Sequence, residues 1–349
     1  MKRTNAKDCI SQMKRQCIET SDGTARPPSI QKLAGNVITE DDIASKNSVK
    51  EKNTLVIPDI LSVPLVSRVD VQTPTYVFFD LETTGLARNS HITQIAAIRG
   101  SSSFSRYVIP EIPISAPASS ITGLTFSNNQ LKLHGQPVKA IPIRKALDDF
   151  VRFLGGKKPV VLVAHNCRSY DSHVLYHAAR ASGADVSIEK CLAGYLDTLP
   201  LFRACFKGLK SYRQEDLYRS IFNSDYNSHN ALADVKALQK LFSRVKRKID
   251  VLDYSFKYSF IKALHTHGLQ KIRNMNTYYP LLMQGAISQK IAERAAASGL
   301  ALTHLKVAYD KCGTEGVRTV LSQITSSGNP RVTNCSVTID KICQYLVNN

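Results

Sequence analysis

Asp80 and Glu82 stand two residues apart in the run Tyr76-Val77-Phe78-Phe79-Asp80-Leu81-Glu82. If that run is a strand, both carboxylates leave from one face while Phe79 and Leu81 leave from the other. Neighbouring carboxylates repel one another unless a cation lies between them. Oxygen ligands at a strand end suit a hard divalent ion such as Mg²⁺ or Mn²⁺. Two further acids open helical patterns: Asp171, after Ala164-His165-Asn166-Cys167-Arg168-Ser169-Tyr170, and Asp234, after His229-Asn230-Ala231-Leu232-Ala233. A carboxylate in the first turn of a helix gains from the helix dipole. A histidine on the loop before it, with an ordinary pKa near ~6.5, suits proton transfer at neutral pH. Taken singly, each of these residues also reads as a helix-start acid, a loop histidine or a solvated strand end. Their occurrence together, each at the end of an element, is what points to metal chemistry.

The elements that must position them follow from periodicity. Tyr76–Glu82, Ile92–Arg99 and Phe104–Ile109 read as strands of a meander, and Pro110–Pro117 as a loop. Helical spacing covers Ile141–Leu154 and stops at Gly155-Gly156. Val160–Ala164 reads as a buried strand, Tyr170–Ala181 as a helix and Ala193–Leu196 as a strand. Thr198–Phe206, Gln214–Phe222 and Asn230–Lys246 follow as helices. This order predicts an α/β fold, a ribonuclease H-like mixed sheet flanked by helices. From about Lys246 the pattern is wholly helical, with a helix over Ile287–Ala297 and Thr303 as cap of the next. Three regions are therefore expected: a disordered segment over 1–73, an α/β domain over 74–245 and a basic all-helical extension over 246–349. Within the first, Leu55–Val66 is the one stretch suited to order or docking.

The formal charge is +18. Residues 1–75 carry 11 Lys/Arg against 9 Asp/Glu, residues 76–245 carry 21 against 13, and residues 246–349 carry 14 against 6. The excess thus sits on the parts expected to fold, which favours an anionic partner, nucleic acid above all. The basic tail either grips a phosphate backbone or caps the sheet through apolar residues such as Leu281, Ile291 and Leu305. Eight cysteines include no CxxC pair, and Cys9/Cys17 and Cys335/Cys343 have no zinc spacing. Free thiols, no signal peptide and no apolar run long enough to span a bilayer together lead us to expect an intracellular protein of nucleus or cytoplasm, without a membrane partner.

The segments Phe78 to Leu86, Val163-Ala164-His165-Asn166 through Asp171, and His229 through Asp234 resemble the three motifs of the DEDDh 3′→5′ exonucleases. The similarity covers about residues 74–245. It is strongest to the three-prime repair exonucleases, through Pro117-Ala118-Ser119-Ser120-Ile121-Thr122-Gly123-Leu124 and Lys210-Ser211-Tyr212-Arg213. The histidine subclass follows from His229 four intervening residues before Asp234; the tyrosine subclass would have Tyr where this chain has Asn230. Gln94 stands where those enzymes usually carry Glu, and Ser169 where Arg often precedes the Tyr-Asp pair. The tail, Ile291 to Ser322 especially, is similar to the region after the exonuclease-like part of PML-related proteins.

The resemblance implies two Mg²⁺ ions, replaceable by Mn²⁺. Asp80 bridges both, Glu82 and Asp234 complete the first site, Asp171 holds the second, and His229 acts as general base. It also implies a terminal-base pocket from Thr83, Thr84, Leu86 and Ile121, with His165, Asn166 and Tyr170 as further substrate contacts. The expected activity is release of nucleoside 5′-monophosphates from single-stranded or frayed DNA 3′ ends. RNA 3′-end trimming and a binding scaffold on an inactive fold are the alternatives, and homodimerisation stays open.

Overall fold

The computed structural model describes residues 56–155, 159–246 and 248–349. Val160–Ala164 is apolar at every position and buried at every position, which is how a strand covered by helices on both faces must read. It lies inside a seven-stranded sheet, next to the central strand. In chain order the strands are β1 (Thr75–Thr83), β2 (Ile92–Arg99), β3 (Ser102–Val108), β7 (Ala140–Ile141), β8 (Val160–Ala164), β9 (Leu192–Asp197) and β10 (Ser255–Lys257). The spatial order is β10-β9-β8-β1-β2-β3-β7. β1, β8 and β9 run parallel, while β2, β3 and β10 are antiparallel to β1, β2 and β9 respectively.

Alternation along β1 sends Val77, Phe79 and Leu81 into one core and Phe78 into the other. The first core is closed by α2 (Ile143–Leu154), α3 (Asp171–Ala181) and α4 (Asp185–Cys191), with Leu147, Phe150, Val174, Leu175 and Ile188 packed inward. The second is closed by α5 (Thr198–Cys205), α6 (Gln214–Phe222) and α7 (Ala231–Phe242), through Phe202, Leu217, Val235 and Leu238. Asp80 and Glu82 share the parity of Phe78. They therefore leave the sheet on the side that carries α7 and its Asp234.

The expected helix over 141–154 starts at Ile143, and the expected Asn230–Lys246 runs from Ala231 to Phe242 with Asn230 as its side-chain cap. A short helix α1 (Ala116–Thr122) begins inside the expected loop, capped by Ser115. After it, β4 (Leu124–Ser127), β5 (Gln130–Leu133) and β6 (Gln136–Pro137) form a small sheet of their own. Its first turn is Asn128-Asn129, both with positive φ, the conformation a tight hairpin requires.

Beyond residue 245 the chain is not wholly helical. β10 pairs with β9 and extends the sheet, so the packed α/β unit reaches past Lys246. The long helix α8 (Tyr258–Thr277) starts there, with Phe260 and Ile261 in the first core. A separate core follows, formed by α9 (Tyr279–Met283), α10 (Gln289–Ala297), α11 (Leu302–Ser322) and α12 (Ser336–Asn348). Leu281 and Leu305 are buried in it and Ile291 packs on it, so these residues build the extension and do not cap the sheet. Thr303 lies inside α11; the cap is Ala301, whose N–H donates to His304 Nδ1.

Of the region read as unordered, residues 1–55 lie outside the described residues. Residues 56–71 have neither helix nor strand, yet they are tied down as a strap. Ile57 packs on the extension's core, and Leu61 N–H donates to the Ser298 carbonyl. The buried Arg331 guanidinium donates to the carbonyls of Pro58, Asp59 and Ser298. Farther along, Lys257 N–H donates to the Ser67 carbonyl, and Val69, fully buried, donates to Ser255 Oγ. Gly194 in β9 makes this possible: a Cβ there would lie 2.2 Å from the Phe256 carbonyl and 2.7 Å from Val69 Cγ2. Gly194→Ala should therefore cost about 1–3 kcal/mol, the usual cost of an overpacked methyl. Urea unfolding of the two proteins checks this; equal midpoints would show that strap and β10 do not press on this strand.

Candidate metal centre

Asp80 and Glu82 are half-buried at the end of β1, and Asp234 lies in the first turn of α7. Each offers one carboxylate oxygen, and these oxygens all lie within 4.8 Å of one another. Among the described residues this is the one cluster of three or more His, Cys, Asp or Glu groups able to hold a metal ion. An all-carboxylate set suits a hard divalent cation. Asp171 is the first residue of α3 and is buried, but the structure does not bring it into that cluster.

The sequence folds this way locally because α7 is pinned at its start. Asn230 Oδ1 accepts the Ala233 N–H, and buried Gln94 on β2 accepts the Ala231 N–H through Oε1 while donating to Ser105 Oγ. Gln94 thus ties the helix to the sheet. His229 adopts a left-handed backbone, φ 67°, which turns its N–H onto Asp234 Oδ2 at 2.9 Å. Asp234 Oδ1 accepts from the Tyr226 hydroxyl at 2.7 Å and from Gln214 Nε2 at 3.3 Å. Burial raises the Asp234 carboxyl above its ordinary value, opposed by the Tyr226 hydroxyl and by His229. The His229 side chain is 38% exposed, and its Nε2 lies 3.0 Å from Glu215 Oε1. That hydrogen bond is the main reason its pKa is raised, against burial, which lowers it.

The second motif is held by a residue that the sequence reading passed over. Asp197, 4% exposed at the end of β9, accepts the backbone N–H groups of Asn166, Arg168 and Leu199. Burial raises its pKa while those three donors oppose the rise. An acid directly before a helix that begins at Thr198 is a cap signal, and the cap bond to Leu199 is present. Its hold on the Asn166 loop, 31 residues away, has no local signal.

The expected substrate contacts divide. Leu86 is exposed and Ile121 half-buried, so both are open to a ligand. Thr84 is buried and bonded to His91 through N–H and hydroxyl, which makes it a turn residue. Thr83 Oγ1 lies 2.7 Å from the Tyr170 hydroxyl, and both reach the Gly85 carbonyl. Burial pushes the Tyr170 phenol up to about 12. His165 uses both ring nitrogens inside the protein, Nδ1 at 3.0 Å from Thr198 Oγ1 and Nε2 at 2.8 Å from the Tyr212 carbonyl. A carbonyl only accepts, so Nε2 carries the proton. His165 braces the site through these bonds. Asn166, with φ 61°, turns the loop.

Comparison with known proteins follows the same division of the chain. Residues 77–242 match the RNase T exonuclease family model, and residues 274–349 match that of the PML C-terminal domain. DNA polymerase III PolC-type of Caldanaerobacter subterraneus subsp. tengcongensis is 32% identical over 181 residues, covering 50% of this chain and 12% of that one. The Clostridium perfringens counterpart is 29% identical over 188 residues, 51% of this chain and 12% of that one. The chain therefore spans about an eighth of the length of the curated relatives it matches. Among solved structures, the zinc-bound E. coli exonuclease I–ssDNA complex aligns with a TM-score of 0.44 at 21% identity, over 63% of this chain and 46% of that one. E. coli exonuclease I with a dA16 oligonucleotide aligns at 0.42 and 22% identity, over 52% and 43%.

Proposed function

We propose that residues 77–242, which match the exonuclease family model, form a DEDDh-type domain and that the protein is a metal-dependent 3′→5′ exodeoxyribonuclease that releases nucleoside 5′-monophosphates. The observation that carries this reading is the convergence of the Asp80, Glu82 and Asp234 carboxylates beside His229. Three carboxylates so close resist desolvation unless a cation compensates them. Two Mg²⁺ ions, replaceable by Mn²⁺, are the cofactors of this proposal, with Asp171 as the ligand of the second. Bound there, they supply Lewis acidity at a scissile phosphate and offset charge on the leaving 3′ oxygen.

The chain's own part is proton transfer and positioning. With Nε2–H directed at Glu215, the lone pair of His229 is at Nδ1, and that atom takes the proton of the attacking water. Glu215 then faces the imidazolium and stabilises it. Leu86 and Ile121 offer apolar surface to the last base, a sequence-tolerant contact. Between Asp253 and Glu293 the chain has no acidic residue but carries Lys257, Lys262, Lys271, Arg273 and Lys290. This run supports binding of a phosphate backbone away from the cleft.

Matched DNA and RNA oligonucleotides with a labelled 5′ end test the reading. A ladder of shortened DNA should appear with Mg²⁺ and vanish with a chelator. Preference for the RNA strand would make the protein an exoribonuclease of the same class, since the pocket would then admit a 2′-hydroxyl. No cleavage of either strand would leave a nucleic-acid-binding scaffold.

A further inference from the structure

Asp234 is solvated by the protein in an uneven way. A carboxylate has about four lone-pair sites, two on each oxygen. On Oδ1, the Tyr226 hydroxyl donates at 2.7 Å, and Gln214 Nε2, whose two hydrogens serve three acceptors, makes a longer shared contact at 3.3 Å. On Oδ2, the His229 N–H takes one at 2.9 Å. The donors are themselves ordered. Gln214 Nε2 lies 3.0 Å from the Tyr226 oxygen and 3.0 Å from the Asp234 carbonyl. An amide nitrogen only donates, so the Tyr226 oxygen accepts from Gln214 and is left to donate to Asp234. The direction of the relay, Gln214 to Tyr226 to Asp234, is fixed by chemistry alone. The phenol cannot swing away easily, because its ring packs edge-on against that of Tyr218, 4.9 Å between centroids.

We propose that Tyr226 and Gln214 are positioning residues for the metal centre, locking Asp234 so that Oδ2 alone is offered to the cation. This deepens the proposed function and rests on it for the identity of the site. Hydrogen bonds to the far oxygen fix the rotation of a ligating carboxylate before the ion arrives. Removing such an outer partner typically lowers metal affinity about 10–100-fold. The fragment that carries these residues is otherwise remote in sequence: Gln214 opens α6, and Tyr226 sits on the loop that joins α6 to α7.

The test is Mn²⁺ binding to the full chain without nucleic acid, read from the free-ion EPR signal, for wild type, Tyr226→Phe and Gln214→Met. Tyr226→Phe keeps the ring and deletes only the hydroxyl; Gln214→Met keeps the length and removes the first donor of the relay. Mn²⁺ Kd should rise about 10–100-fold for Tyr226→Phe and by a smaller factor for Gln214→Met. DNA cleavage at saturating Mn²⁺ should recover to near the wild-type kcat, since the ligands themselves remain. A Kd within twofold of wild type in Tyr226→Phe overturns the proposal, as does a wild type that takes up no Mn²⁺. If the phenylalanine variant fails to fold by circular dichroism, Gln214→Met decides alone by the same criterion. A wild type that binds Mn²⁺ but cleaves no strand refutes the exonuclease reading and leaves the positioning result standing.

Discussion

Asp80→Asn should abolish cleavage while leaving the protein folded, and it should raise the melting temperature of the metal-free form. The two effects have one cause. Asp80, Glu82 and Asp234 bring three carboxylate oxygens within 4.8 Å of one another, and their mutual repulsion is relieved when one becomes an amide. The same change removes a ligand on which Lewis-acid chemistry depends. A loss of several kcal/mol in transition-state stabilisation corresponds to a rate reduced by roughly 10³-fold or more. Rate and melting temperature moving in opposite directions distinguish a functional site from a structural ion-pair network. An Asp80→Asn protein that keeps its rate, or that loses rate only because it unfolds, would remove Asp80 from the metal centre.

His229→Ala should reduce kcat by roughly 10²–10⁴-fold, the usual contribution of a general base, with Mn²⁺ and oligonucleotide affinity preserved. The wild-type rate should rise with pH, because only the neutral imidazole can accept a proton. Glu215, bonded to Nε2, raises the His229 pKa. The protonated, inactive form therefore persists to higher pH than for an isolated histidine near ~6.5. Glu215→Gln removes the charge that causes the rise and should move the midpoint of the rate profile to lower pH. An unmoved midpoint would separate Glu215 from the base, and a His229→Ala enzyme with near-normal kcat would show that another group takes the proton.

Elements with strong periodicity were legible to the residue. β2, β8 and α6 begin and end where apolar spacing places them, because a covered strand or an amphipathic helix has little freedom of register. Asp80 and Glu82 could be placed on one face from alternation alone. The small sheet over 124–137 was missed: its strands are two to four residues long and largely exposed, so no alternation develops. β10 was missed for the same reason, being three residues long. Gln214, Glu215 and Tyr226 could not have been found, since their importance comes from a fold that sets α6 beside the start of α7. Asp234 and Gln214 are 20 residues apart and share no periodic pattern. His165 was placed by its motif alone; that its ring nitrogens engage Thr198 and the Tyr212 carbonyl, 33 and 47 residues away, has no local signal.

The strap has a consequence for the order in which the molecule can be made. The carbonyl of Pro58 receives its hydrogen bond from Arg331, 273 residues later. At a synthesis rate of ~5–20 residues per second, the earlier partner waits roughly 15–55 s for the later one to be polymerised. The whole candidate metal cluster, from Asp80 to Asp234, has by then been synthesised. Val69 is fastened sooner, once Ser255 arrives. The nascent chain thus passes through a stage in which the Asp80, Glu82 and Asp234 cluster is complete in sequence while the carbonyl of Pro58 is still without Arg331. Translation halted between residues 258 and 297 would yield a polypeptide carrying all four acids and His229, with the Pro58–Leu61 end of the strap lacking both Ser298 and Arg331.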